Sequence, residues 1–340
     1  LITVVVPTTG RRSLGATLAA LPPDVAVIVV DDRPAGGAAL PLPARVRVVR
    51  SGGRGPAAAR NAGWRAARTP WVVFLDDDVV PRPGWYEAAL EDLGDLPADV
   101  AGSQGRIEVP LPGDRRPTDA ERNTAGLAGA AWITADMAYR RDALDRAGGF
   151  DERFPRAYRE DSDLALRLTR AGHRLVRGRR VTVHPVRDDG FWASVRFQRG
   201  NADDALMRRL HGPAWREAIG GARGRLRRHA LTTALGLAAL GLALAAVHRP
   251  DPVIRSRAGV VAPRPSRPGR PGPRGRTGTL RRAAAGALAG WAALTAEFAW
   301  ARIAPGPRTP REVLRMAVTS ALIPPVACAH RLRGEWRARR

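Results

Sequence analysis

Lysine is absent from this 340-residue chain, yet arginine gives it a formal net charge of +24. A P-loop needs a Lys-Ser/Thr pair to engage phosphates, so the glycine-rich SGGRGP at 51–56 is not one. Cysteine occurs once, at Cys328, which excludes a disulfide framework or a cysteine-based metal site within one chain. The opening LITVVVP has no basic region or cleavage site and reads as a strand rather than a secretory leader. Acids are scarce in the last third: residues 1–222 carry 33 Arg against 28 acids, and 223–340 carry 23 Arg against 4. The net charges are therefore +5 and +19, a balanced first part followed by an arginine-rich tail. Charge of this size suggests nucleic acid or an anionic membrane. The Ala, Gly, Pro and Arg richness also fits a GC-rich coding sequence, and no aromatic-interleaved basic patch or reading module is present. Nucleic acid is therefore not an expected partner.

What is present centres on WVVFLDDDVVP at 71–81. The apolar run Trp71–Leu75 predicts a strand buried on both faces, as in a parallel sheet. Asp76, Asp77 and Asp78 follow without a break. Three unpaired carboxylates cannot stay ionised in a core, so they belong where the strand emerges, next to something cationic. Carboxyl ends of strands are where open α/β sheets bind ligands. Hard oxygens at such a place suit Mg2+ or Mn2+, with substrate phosphates completing the shell. A solvated Asp-rich turn before Pro81 is the plain alternative.

Around this stretch the pattern alternates. ITVVV (2–6) predicts a first strand ending at Pro7, and residues 13–21 a helix with Ser13 as N-cap. VAVIVV (25–30) is a second strand running into Asp31 and Asp32, and VRVV (46–49) a third. AAARNAGWRAA predicts a helix before the 71–75 strand, and another lies around 83–92. This spacing argues for a parallel α/β sheet. Residues 110–128, rich in Pro, Gly and Arg, read as a mobile loop. Residues 130–141 regain strand character, 148–154 turn, and EDSDLALRLTRAG (160–172) is a helix. HRLV and VTVHP (173–185) read as further strands, and 191–210 as a charged helical segment.

Beyond residue 223 the character changes. Residues 230–247 are eighteen without a charge, enough for a membrane helix candidate. The Pro/Arg-rich linker 249–282 carries ten arginines and reads as disordered. Residues 283–300 are a second apolar stretch, interrupted by Glu297. Residues 316–329 are shorter and contain Pro324-Pro325, so a surface-lying or re-entrant segment competes with a span. Buried core helices are the alternative for the first two stretches; alanine-rich uniform apolarity between basic flanks favours lipid.

Six motifs in order carry a resemblance: VVVPTTGR, VVDD, GPAAARNAG, FLDDDVVP, the TADMAYRR-to-GGFDERF passage, and EDSDLALRL. Together, over roughly residues 2–200, they resemble family 2 glycosyltransferases. The resemblance implies an α/β fold of GT-A type, with a Rossmann-like, mostly parallel sheet flanked by helices. A helical, membrane-associated region would follow it, so that 1–222 is the catalytic domain and 223–340 the basic tail. It also implies an inverting, metal-dependent enzyme that moves a sugar from a nucleotide-diphospho-sugar to a hydroxyl of a lipid-linked or cell-envelope glycan.

By the same resemblance Asp32 contacts the nucleotide base beside Pro7 and Thr8, and a carboxylate can accept the base's hydrogen bonds. The family's DXD motif falls on Asp76 and Asp78, which would hold Mn2+ or Mg2+ at the diphosphate. Arg60 and Asn61 match a pair near the nucleotide. Asp161, beside Glu160, matches the catalytic base; one base suffices when a metal stabilises the departing diphosphate. Without such a role, Glu160, Asp161 and Asp163 would simply favour a helix N-terminus. His184 is either a third metal ligand, a phosphate contact or a structural histidine. Gln198 and Arg199 lie where some relatives bind diphosphate, but QRGN is not the QxxRW of processive synthases. Asp136 stands where relatives often carry Asn, leaving the acceptor side open.

A sugar nucleotidyltransferase would need a glycine-rich, Arg- and Lys-bearing loop after the first strand, which PTTGRRS does not supply. A non-catalytic membrane scaffold would have no use for Asp76, Asp78 and Asp161 together. Cytosolic donors place 1–222 on the cytoplasmic face, and the positive-inside rule places the 249–282 linker there too. The expectation is that 230–247 is shallowly inserted or re-entrant against 283–300.

Overall fold

The computed structural model describes residues 1–34, 38–248 and 273–339. Two compact units emerge: Leu1–Ala193 with Arg199–Arg223 and Arg331–Arg340, and Ser194–Gln198 with Gly224–His330.

In the first unit the chain runs β1 (Ile2–Thr8), α1 (Leu14–Ala19), β2 (Ala26–Asp31), β3 (Arg47–Arg50), α2 (Pro56–Ala66), β4 (Trp71–Leu75) and β5 (Val80–Pro81). It continues through α3 (Trp85–Gly94), β6 (Val100–Glu108), α4 (Asp119–Ala125), β7 (Asp136–Arg140), α5 (Arg141–Arg146), α6 (Glu160–Arg170) and β8 (Arg174–Val183). All but the first residue of the short α7 (Ala193–Arg196) fall in the second unit, while α8 (Gly200–His211) and α9 (Trp215–Ala218) complete the first. Among the described residues the sheet has eight strands, in the order β3-β2-β1-β4-β7-β6-β8-β5. β1 pairs in parallel with β2 and β4, β2 with β3, and β6 with β8. β7 runs antiparallel to β4 and β6, and β5 antiparallel to β8.

Alternation along the strands separates two cores. Val4, Val6, Val27, Val29, Val73 and Leu75 face α1 and α3, packing with Leu14, Leu18, Trp85 and Leu93. Val5, Ile28, Val30, Val72 and Phe74 face α2, α5 and α6, packing with Trp64, Leu144 and Leu164. Both faces are covered, which is why these strands read as unbroken apolar runs. α2 lies unusually close: a Cβ at Gly63 would sit 2.3 Å from a Val5 methyl and 3.0 Å from a Val30 methyl.

Several expectations need correction. Residues 110–128 contain α4, begun by a capping box in which Thr118 and Glu121 bond reciprocally; the Thr-x-x-Glu signal was in the sequence but lay among prolines and arginines. HRLV and VTVHP form the single strand β8. The strand in 130–141 is confined to Asp136–Arg140. β6 was not foreseen, because its AGSQG centre lacks the bulky apolar alternation that marks a strand.

The second unit contains α10 (Leu226–Val247), α11 (Pro273–Ile303) and most of α12 (Pro310–Arg339). α10 and α11 pack antiparallel: Arg225 and Arg228 pair with Glu297 at 2.6 and 3.0 Å, and His229 meets Phe298 at 5.0 Å. Further along, Gly236 lies under Trp291. Residues 273–282, expected to be disordered, are the start of α11; the rest of that linker, 249–272, lies outside the described residues. α12 continues as helix through Pro324 and Pro325, where a shorter segment was expected. Among the described residues, α10 and α12 are long and apolar enough to cross a membrane by length and composition.

Candidate functional site

Parallel pairing of β1, β2 and β4 brings their carboxyl ends to one sheet edge, with Thr8 in register with Asp31. β7 runs the other way, so its first residue, Asp136, is in register with Leu75. Pro7 and Thr8, Asp31 and Asp32, and Asp76 to Asp78 thus meet at one edge, as the apolar-run-then-acid pattern implied.

Each acid of the 76–78 run is paired, and two of them share Arg11. The Thr8 hydroxyl donates to Asp77 Oδ2 at 2.6 Å, and Arg11 Nη1 reaches Asp77 Oδ1 at 3.1 Å. Burial pushes the Asp77 carboxyl above its ordinary range, against the pull of Thr8 and Arg11. Asp78 is buried and paired with two half-exposed guanidiniums, Arg11 at 3.2 Å and Arg187 at 2.9 Å. His184 Nε2 stands 3.9 Å from Asp78 Oδ1, and the ring is buried. Asp76, with 29% of its side chain exposed, accepts from Arg60 Nη2 at 2.9 Å. The cation demanded by three adjacent carboxylates is in the first instance arginine.

Arg60 joins two motifs. Carried in by α2 and only 1% exposed, it also donates to Glu160 Oε1 at 2.6 Å. Its guanidinium lies 5.8 Å from the Phe150 ring. The first acid of the 76–78 run and Glu160, the first acid of the pair opening α6, are therefore held by one side chain. Burial raises the Glu160 carboxyl, opposed mainly by Arg60. Asp161 beside it is half-buried; its Oδ1 accepts from the Ser162 N–H at 2.6 Å and the Ser162 hydroxyl at 3.3 Å. Desolvation raises Asp161 above the usual carboxylate range, while the Ser162 N–H, Arg60 and Arg159 pull the other way. Among the described residues, Arg60 Nε, Glu160 Oε2 and Tyr139 Oη are buried without a hydrogen-bond partner. Such atoms are uncommon in a folded chain, and the Asp161 charge acts on the Tyr139 hydroxyl.

Other expected site residues are occupied elsewhere. Asp32 accepts from the Ser51 hydroxyl at 2.7 Å and the Gly55 N–H at 2.9 Å, pinning the SGGRGP loop to the sheet edge. Asp31 pairs with Arg33 at 2.8 Å. Asn61 is spent on the turn after α5: its amide donates to the Phe150 carbonyl and Glu152, while its oxygen accepts from the Phe150 N–H and Trp64. Asp136 is wholly buried, bonded to Arg180 at 2.7 Å, Trp85 at 2.7 Å and Thr182 at 2.6 Å. It braces β7 against β8 and α3, an internal role that its position in the sequence did not reveal. Arg11 and Arg187 went unnoticed because isolated arginines are unremarkable in so arginine-rich a chain.

The donor set can be tested against a divalent cation. No group of three His, Cys, Asp or Glu converges among the described residues. Two ligand atoms at adjacent octahedral positions on Mg2+ stand about 3 Å apart, given bonds of about 2.1 Å; Asp78 and His184 are close to that separation but wider. Such ions are commonly held by one or two carboxylates and substrate phosphates rather than by an all-protein cage. Asp76 and Asp78 match such an ion in the chemistry and number of their carboxylates.

Comparison with known proteins bears on the family and the fold. Residues 3–162 match the family described as Glycosyl transferase family 2. The chain is 34% identical over 202 residues to the pre-mycofactocin glycosyltransferase of Mycobacterium tuberculosis, covering 51% of this chain and 40% of that protein. It is 41% identical over 103 residues to the succinoglycan biosynthesis protein ExoO of Rhizobium meliloti, covering 28% of each. The chain therefore spans two fifths or less of these relatives' lengths. Among solved structures, the mannosyltransferase PcManGT from Pyrobaculum calidifontis in complex with GDP-Man and Mn2+ aligns with a TM-score of 0.53. Identity is 21%, over 97% of this chain and 86% of that one, a likeness of fold.

Proposed function

We propose that the chain, whose residues 3–162 match glycosyl transferase family 2, is an inverting glycosyltransferase that uses a nucleotide-diphospho-sugar and a divalent metal. The observation that carries this reading is Arg60, which holds Asp76 and Glu160 on one guanidinium and so places the metal-type carboxylates beside the acid pair. Asp161 is the base. With Oδ1 held by Ser162, Oδ2 takes the proton of the acceptor hydroxyl as that oxygen attacks the anomeric carbon. The bond from anomeric carbon to phosphate oxygen breaks on the opposite face, its electron pair leaves with the diphosphate, and the configuration inverts. Mn2+ or Mg2+ would be held by Asp76 and Asp78, with His184 in reach, and would supply positive charge at the departing phosphates. Arg11 and Arg187, half-exposed beside Asp78, add charge of the same sign. Pro7, Thr8 and Asp32 line the edge where the nucleotide lies. Arg60 acts there through Asp76, and Asn61 through the 148–152 turn.

The acceptor is read as a lipid-linked or cell-envelope glycan, in keeping with apolar α10 and α12. Residues 1–222 are read as the catalytic domain on the cytoplasmic face of an anionic membrane, and 223–340 as the basic tail that attaches it. Nucleic acid is not a partner in this reading.

The test is donor binding. A panel of nucleotide sugars with Mn2+ is expected to yield one that raises the melting temperature, since a ligand binding only the folded state stabilises it. Asp78→Ala or EDTA should remove that increase; a shift of equal size in EDTA would contradict metal-dependent binding.

A further inference from the structure

Arg159, immediately before the acid pair, has φ +80° and ψ −16°, a left-handed backbone that non-glycine residues rarely adopt. It is the N-cap of α6, where the usual residue is extended and caps with a short polar side chain. Arg159 makes no such cap. Its side chain is committed to α8 and α9 instead. Nε donates to Asp204 Oδ1 at 2.9 Å, and Nη2 donates to the Tyr158 hydroxyl at 2.7 Å. The guanidinium stacks 4.3 Å from the Tyr158 ring and 4.8 Å from the Trp215 ring. Asp204 is buried and also held by Arg216, so the anchor itself is fixed. Tyr158 is pressed against Gly200, where a Cβ would come within 2.6 Å of the ring.

The backbone consequence is local and directional. The Arg159 carbonyl accepts the first helical bond of α6, from the Asp163 N–H at 2.8 Å. The turn at its Cα therefore decides how α6 enters, with Glu160 driven inward to Arg60 and Asp161 left half-buried. Backbone held in a sparsely populated region persists only where surrounding contacts over-determine it, and such places cluster at active sites. We propose that Arg159 is a positioning residue: its anchorage on α8 and α9 holds the left-handed turn that presents Asp161 to the site. The catalytic side of this proposal rests on Asp161 being the base.

Arg159→Ala and Arg159→Gly in the full chain separate backbone from charge. Both remove the guanidinium, but glycine takes positive φ without steric cost. Two readouts are needed: amide hydrogen exchange over 160–164, and nucleoside diphosphate release from UDP-glucose and GDP-mannose. For Arg159→Ala, exchange should rise about tenfold and kcat fall about tenfold, with donor KM within about twofold. Arg159→Gly should stay within about threefold of the wild type on both. Equal losses in the two variants would assign the effect to the guanidinium charge and overturn the proposal, as would unchanged exchange in Arg159→Ala. If Arg159→Ala does not fold, Asp204→Asn weakens the anchor on α8, and unchanged exchange over 160–164 would likewise overturn it. If the wild type releases no nucleotide from any donor of the panel, the proposed function fails while the exchange measurement still decides whether Arg159 holds the turn.

Discussion

Asp161 shows how one residue's environment sets its chemistry. Desolvation raises its carboxyl, and the Ser162 N–H, Arg60 and Arg159 offset only part of that. A base works when deprotonated, so a raised value moves the acidic limb of the rate profile upward, to a pH above the ordinary carboxylate range. The expected profile of kcat against pH therefore falls away at higher pH than a solvent-exposed aspartate would allow. A limb at or below the ordinary range would show that Asp161 is better solvated than its burial indicates. The acids of this site were legible in the sequence because carboxylates directly after apolar strands have few structural uses. Their partners were not: nothing in the spacing of Arg11, Arg187, Arg60 and Glu160 shows that they converge, since strand order brings them together. Asp136 illustrates the reverse, an acid in a suggestive motif that serves as the buried brace between Arg180, Trp85 and Thr182.

At the scale of elements, α2 carries the most site architecture for its length. It delivers Arg60 to Asp76 and Glu160, and Asn61 to the turn at Phe150. Both depend on its close approach to the sheet at Gly63, over Val5 and Val30. Gly63→Ala is expected to destabilise the protein by about 1–3 kcal/mol through overpacking, partly offset by alanine's better helix propensity. Urea unfolding checks this, and the variant's donor affinity should weaken as Arg60 is displaced. A variant as stable as the wild type would mean the helix can lift without cost. The parallel strands β1, β2 and β4 were readable because both faces are buried and their apolar runs are unbroken. β6 was not, because small and polar residues fill a strand whose place is secured by its neighbours β7 and β8. Capping chemistry revealed α4 only once its Thr118–Glu121 reciprocity was visible.

At the scale of the whole molecule, the chain divides into a mixed α/β unit and a helical unit, each with its own logic. Glu297, which interrupts an apolar stretch in the sequence, pairs with Arg225 and Arg228 across the α10–α11 hairpin. The hairpin brings the start of α10 beside the end of α11, as the expected packing of 230–247 against 283–300 requires. At about 1.5 Å per residue, the 22 residues of α10 are long enough to cross a hydrocarbon core of about 30 Å. Six arginines in 249–272, with four more in the first turns of α11, oppose translocation of the connecting segment. We therefore expect Ser266, outside the described residues, to stay cytoplasmic. In a Cys328→Ser background, Ser266→Cys should resist an impermeant thiol reagent in intact cells and react after lysis. Labelling from outside would place the segment across the membrane.

The central claim is that Asp161 takes the acceptor's proton while the donor is held by other residues. The direct measurement compares wild type and Asp161→Asn using the nucleotide sugar that stabilises the protein with Mn2+, recording donor affinity and nucleoside diphosphate release on the same preparation. The account predicts a donor Kd within about threefold of the wild type and a release rate lower by at least about a thousandfold, since only the base is lost. Release by Asp161→Asn at the wild-type rate would contradict it.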